Sequence, residues 1–134
     1  MRSWAWVALG GALGALARYA AMRGLPDAPW PWAILAVNLS GAYAIGVVMA
    51  CSVEWGRMSS RSRMFWGVGV LGGYTTFSTL IAGTLALVDE NRAGAAAGYL
   101  ALSVVGGIAG TWLGLVTVRA YAAWCRARSQ ASDS

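Results

Sequence analysis

Histidine and lysine are both missing from this chain, and only five carboxylates are spread over its 134 residues. Each shortage closes off a class of chemistry. Without histidine, no side chain has an ordinary pKa near neutrality. The acids Asp27, Glu54, Asp89, Glu90 and Asp133 all fall between or beyond the long apolar runs. The apolar segments therefore hold neither a proton carrier nor the acid–base pair of an enzyme. Cys51 and Cys125 end separate apolar runs, with no ligand spacing for a metal and no disulfide framework. Charged residues make up 11% of the chain, where soluble domains carry about 25%. With 58% hydrophobic residues, the chain cannot coat itself against water, and lipid is the better solvent. All ten basic residues are arginines set in short stretches between apolar runs. That scatter argues against a nucleic-acid surface, which needs basic side chains gathered on one wet face.

What is present is a series of apolar stretches of membrane length. Spans are expected at about 3–22, 30–53, 64–88 and 93–118, each near the roughly 20 residues that cross a hydrocarbon core as helix. The expected class is an all-α membrane protein, with 1–125 as a four-helix transmembrane domain and 126–134 as a polar, disordered tail. Trp4, Trp6, Trp30, Trp32, Trp55, Trp66 and Trp124 cluster at span ends, the headgroup-level preference of indole rings. Arg2 followed by an apolar run to Ala17 has the outline of a secretory signal. Gly10, Gly11 and Gly14 fit a retained packing helix better, and the apolar segment continues to Met22. Arg18 inside this span must face protein, water or a headgroup.

The polar groups within the spans are neutral: Asn38 and Ser40, then Thr75, Thr76, Ser78 and Thr79, then Tyr99 and Ser103. A single hydroxyl usually bonds back to its own helix. An amide such as Asn38 has two donors that this route cannot satisfy, so it serves as helix glue or as an ion ligand. Residues 67–80, GVGVLGGYTTFSTL, are the most informative segment. The pair Gly72–Gly73 and the hydroxyl run after it predict a break in the third helix. Such a break is either a packed kink or a source of free carbonyls that suit a cation. Tyr99, Ser103 and Gly107 share one stripe of the fourth helix, while Gly106, Gly110 and Gly114 form a close-packing stripe.

In the order GGALGALARY (10–19), AVNLSG (36–41), GGYTTFST (72–79) and Tyr99 with Ser103, the chain resembles the Fluc, or CrcB, fluoride channels over nearly its whole length. The resemblance implies an antiparallel, dual-topology-type dimer in the membrane with two narrow fluoride pores. It also implies a structural sodium ion, not transported, held at the dimer centre by the backbone carbonyls of Gly72 and Thr75. Asn38, Phe77, Ser78, Thr79, Tyr99 and Ser103 would line the fluoride path. Three departures from the family stand out: Leu80 replaces a second phenylalanine, Gly83 a frequent glutamate, and a frequent serine is missing near Gly107.

Seven arginines (Arg2, Arg57, Arg61, Arg63, Arg119, Arg126 and Arg128) fall on the side of both termini, against Arg23 and Arg92 on the other. The positive-inside rule then places both termini in the cytoplasm. This bias fits poorly with a homodimer whose copies insert both ways, so the partner is expected to be either a second copy or an oppositely oriented paralogue. A small multidrug exporter is also a four-helix antiparallel dimer, but it needs an intramembrane carboxylate. A non-conducting assembly subunit is the structural alternative.

Overall fold

The computed structural model describes residues 3–25, 29–54, 56 and 58–132. Arg2, Pro26, Asp27, Trp55, Arg57 and the last two tail residues lie outside the described residues. Helix α1 spans Ser3–Arg23 and α2 Trp32–Met49, continued by a π-helical turn at Ala50–Glu54. The third span is assembled from α3 (Ser60–Arg63), a π-helical segment Met64–Leu71, α4 (Gly72–Tyr74) and α5 (Phe77–Asp89). Helix α6 runs from Ala93 to Ser132. Four stretches, Trp4–Arg23, Trp32–Ser52, Ser60–Asp89 and Ala93–Ala131, are long and apolar enough to cross a membrane.

Small residues set the packing. A side chain at Gly10 would run into the backbone of Phe65, Gly69 and Val70, and one at Gly14 into the Val70 carbonyl. Helix α1 therefore lies backbone to backbone on the π-helical part of the third span. The α2–α6 contact is built the same way, with Gly46 against Thr111 and Gly114 against Tyr43 and Val47. In lipid there is no hydrophobic drive between helices, so this closeness supplies the dispersion contact that holds the bundle together. Toward the Trp32 end of α2, Ile34, Leu35, Leu80, Leu87, Ala96 and Tyr99 form one buried cluster that joins α2, α5 and α6. The outward faces are apolar, with Leu13, Val105, Ile108 and Trp112 among the exposed large side chains. Such a surface suits hydrocarbon and not water.

The turn between α5 and α6 closes on a Schellman motif. Asn91 takes φ +58°, its N–H donates to the Val88 carbonyl, and the Arg92 N–H donates to that of Leu87. Arg92 then donates to the Pro29 carbonyl at 2.7 Å and pairs with Glu90 at 3.0 Å, tying the third connection to the first.

Two sequence expectations shift. Helix α6 continues through the tail to Ser132 where disorder was expected. Alanine, arginine and glutamine are good helix formers, and extending an existing helix needs no new nucleus. The interruption of the third span falls on Thr75 and Thr76, while Gly72 and Gly73 stay helical. Gly73 packs directly on the backbone of Gly11, which ties that turn to α1.

Candidate functional site

The break is two residues of extended backbone, Thr75 (φ −75°, ψ 156°) and Thr76 (φ −146°, ψ 121°). Its hydrogen bonds explain why it persists. Thr75 ends its helix by returning both its N–H (3.0 Å) and its hydroxyl (2.9 Å) to the Leu71 carbonyl. Asn38, from α2, clamps the next peptide groups: its Oδ1 accepts the Thr76 N–H at 2.9 Å and its Nδ2 donates to the Thr76 carbonyl at 3.0 Å. Thr76 also caps α5, its hydroxyl accepting the Thr79 N–H at 3.2 Å. Arg18 donates to the Thr75 carbonyl at 3.2 Å, so the arginine within the body of α1 is spent on the break.

Asn38 is thus first of all a helix tie, although the second N–H of its amide has no partner among the described residues. The hydroxyls mostly bond back to their own helices. Ser103 donates to the Tyr99 carbonyl at 2.7 Å and Thr84 to that of Leu80 at 2.9 Å. Ser78 and Thr79 share the Thr76 hydroxyl, at 3.3 and 2.9 Å.

Beside the break is an open cavity of about 390 Å3 onto which Asn38, Thr75, Thr76, Phe77, Leu80 and Ser103 face. Of the residues singled out from the sequence, Asn38, Phe77 and Ser103 therefore come together. Ser78 and Thr79 sit at the same break without lining the cavity. Phe77 is 77% exposed, so its own chain leaves the ring uncovered. Leu80 is buried in the wall.

Tyr99 is elsewhere. It is fully buried in the α2–α5–α6 cluster, edge-on to Trp30 at 5.3 Å, and its hydroxyl has no hydrogen-bond partner among the described residues. The neighbouring position is Gly83, where a Cβ would lie 3.7 Å from the Tyr99 ring. A glutamate there would approach that ring, and glycine leaves the hydroxyl unanswered.

The break also bears on a cation. In an unbroken helix the Thr76 N–H would return to Gly72, but Asn38 takes it, which frees the Gly72 carbonyl on an open surface. Carbonyl oxygens are hard ligands and fit sodium. The Thr75 carbonyl shares this chemistry with one lone pair already given to Arg18.

Sequence reasoning missed three contributors. Thr111 lies one turn beyond Gly107 and splits its hydroxyl between the Ala42 and Gly107 carbonyls, at 3.1 and 3.0 Å. It lines a second hollow of about 520 Å3, which shares Ala42 and Val104 with the first. Extending the four-residue spacing from Ser103 would have found it. Thr76 was visible only as one hydroxyl among several, and Arg18 only as a charge in need of cover.

Fold and site together define a polytopic membrane protein whose third span is interrupted over a polar-edged hollow. The family described as CrcB-like protein, Camphor Resistance (CrcB), matches residues 5–115, and the chain belongs to that family. Among its relatives is the "Fluoride-specific ion channel FluC" of Bordetella petrii, 43% identical over 114 residues, 85% of this chain and 89% of the relative. The protein of the same name from Thermus thermophilus is 46% identical over 102 residues, 74% of this chain and 81% of the relative. That of Novosphingobium aromaticivorans is 41% identical over 127 residues, 91% of this chain and all of the relative.

Proposed function

We propose that this chain is a subunit of a fluoride-selective channel through which fluoride leaves the cell passively, relieving fluoride toxicity. The observation that carries the reading is the clamped break at Thr76 beside a cavity faced by Asn38, Phe77 and Ser103. Fluoride is small and strongly hydrated, so a dry path must replace its water with uncharged donors. The free N–H of Asn38 and the hydroxyl of Tyr99 are such donors, the hydroxyls of Ser78, Thr79 and Ser103 would join them by turning from their present partners toward the anion, and the edge of the Phe77 ring is electropositive. Donors without a fixed cation in the path release the anion again, as conduction requires.

One chain does not enclose this path. The uncovered Phe77 and the open cavity support an antiparallel dimer in which a second subunit completes the wall, with lipid covering the remaining apolar surface. Sodium at the dimer centre would be held by the carbonyls of Gly72 and Thr75, and its role would be to fix the two breaks together. The arginine bias favours an oppositely oriented paralogue over a second copy, with cytoplasmic termini for this chain. Leu80 in the cavity wall offers no ring edge, which fits one competent pore per dimer.

The test is efflux from liposomes, with chloride as control and Phe77→Ile beside the unaltered chain. Rapid fluoride-selective leakage that Phe77→Ile abolishes supports the channel. Proton-coupled drug exchange would support an exporter, and silence until a second subunit is added would support the paired arrangement.

A further inference from the structure

A further cavity, of about 320 Å3, lies at the opposite end of α2 from Trp32, between the π-helical turn Ala50–Glu54 and the start of the third span. Both walls include π-helical backbone, a rare geometry that concentrates at functional sites. Its lining is ordered along the two helices. Arg63 and Ser52 lie at the end nearest the connection between the second and third spans, followed along the helices by Met49 and Gly67, with Val68 and Ile45 farthest from that end. From Ser52 to Ile45 the groove runs about 10 Å along α2. The Arg63 side chain is exposed and makes no hydrogen bond or ion pair among the described residues. Ser52 is 8% exposed, and its Oγ is buried without a partner among the described residues. This hydroxyl is therefore a donor waiting in the wall of an otherwise apolar groove with a cation at its mouth.

We infer that the groove seats an anionic phospholipid, with its phosphate on Arg63, a glycerol ester oxygen accepting from Ser52 Oγ, and one acyl chain along Met49, Gly67, Val68 and Ile45. The sequence of charge, hydroxyl and hydrocarbon down the groove is the sequence of groups down a lipid. Free phosphate would answer Arg63 and leave the apolar length empty. A second protein chain packed over the groove would have to bury an unpaired guanidinium. Gly67 shapes the floor: a Cβ there has only Val48 nearby, at 3.6 Å, so a larger side chain fits by filling the groove.

Native mass spectrometry of the purified channel, with phosphatidylglycerol, phosphatidylcholine or inorganic phosphate added in turn, tests the assignment. Phosphatidylglycerol should stay bound in preference to the other two. Arg63→Gln should weaken its retention roughly fivefold, the factor one basic side chain against an anionic surface supplies, and Gly67→Leu should abolish it, both at an unchanged melting midpoint. Equal retention of the two lipids, retention of phosphate alone, or an Arg63→Gln variant that holds lipid as before would overturn it. A photoreactive benzoylphenylalanine in place of Val68 gives a second readout. Adducts with lipid support the groove, and adducts with a second protein chain assign this face to a subunit contact and defeat the inference.

Discussion

Replacing Asn38 with leucine removes both hydrogen bonds that hold the break at Thr76, without opening a large void. The Thr76 N–H and carbonyl, now paired at 2.9 and 3.0 Å, would be left unpaired at membrane depth. Each orphaned backbone group costs about 1–3 kcal/mol, so the expected loss is about 2–6 kcal/mol, a large part of the 5–15 kcal/mol that typically separates folded from unfolded proteins. Asn38→Asp is the sharper variant. It keeps the acceptor for the Thr76 N–H and, when ionised, turns an oxygen against the Thr76 carbonyl, for about half the cost of leucine. When protonated, the introduced carboxyl donates to that carbonyl as the amide did. The stability this bond contributes is therefore full at acid pH and is lost as the carboxyl ionises. Melting of the purified protein across pH reads this directly, and fluoride efflux at neutral pH reads the consequence for conduction. Asn38→Leu with wild-type melting and wild-type efflux would refute the clamp, and a pH-independent Asn38→Asp would refute the role of its donor.

Further outcomes follow from the same geometry. Tyr99→Phe deletes a buried hydroxyl that has no partner among the described residues, so the melting midpoint should rise, with about 1 kcal/mol gained. If the hydroxyl serves fluoride, efflux should fall at the same time, and unchanged efflux would remove Tyr99 from the path. Thr76→Val removes the cap of α5 and should cost about 1 kcal/mol, read by thermal melting. Gly14→Val forces a side chain into the Val70 carbonyl and should cost at least about 1–3 kcal/mol, seen as loss of folded protein on extraction.

Much of the architecture was legible because lipid imposes simple rules. The spans announce themselves as charge-free runs, and the glycine stripes on α1 and α6 mark contacts that the structure makes with Gly69 and Gly46. The break was legible in kind but displaced in position. Glycine propensity pointed to Gly72 and Gly73, whereas the deciding event is a hydrogen bond from a residue 38 positions away. No local pattern reveals that α2 will supply an amide to the third span. The same holds for Tyr99, which shares a stripe with Ser103, yet its ring lies in the α2–α5–α6 core while Ser103 faces the cavity. The π-helical stretch at Met64–Leu71 left no trace that periodicity could detect.

The arginine distribution turns the question of pairing into a measurable one. With seven arginines on one side and two on the other, copies of this chain should insert with one orientation. Reporter fusions at the C-terminus should then report a cytoplasmic location alone. An antiparallel dimer made from one sequence needs both orientations, so a single orientation requires a partner of opposite bias. Exchanging Arg61 and Arg126 for serine while placing arginines in the 24–29 connection narrows the count to five against four. That variant should produce both orientations and, if the unaltered chain was silent alone, should gain fluoride efflux without a partner. Dual orientation of the unaltered chain, or full efflux from it when expressed alone, would remove the case for a paralogue and leave a homodimer.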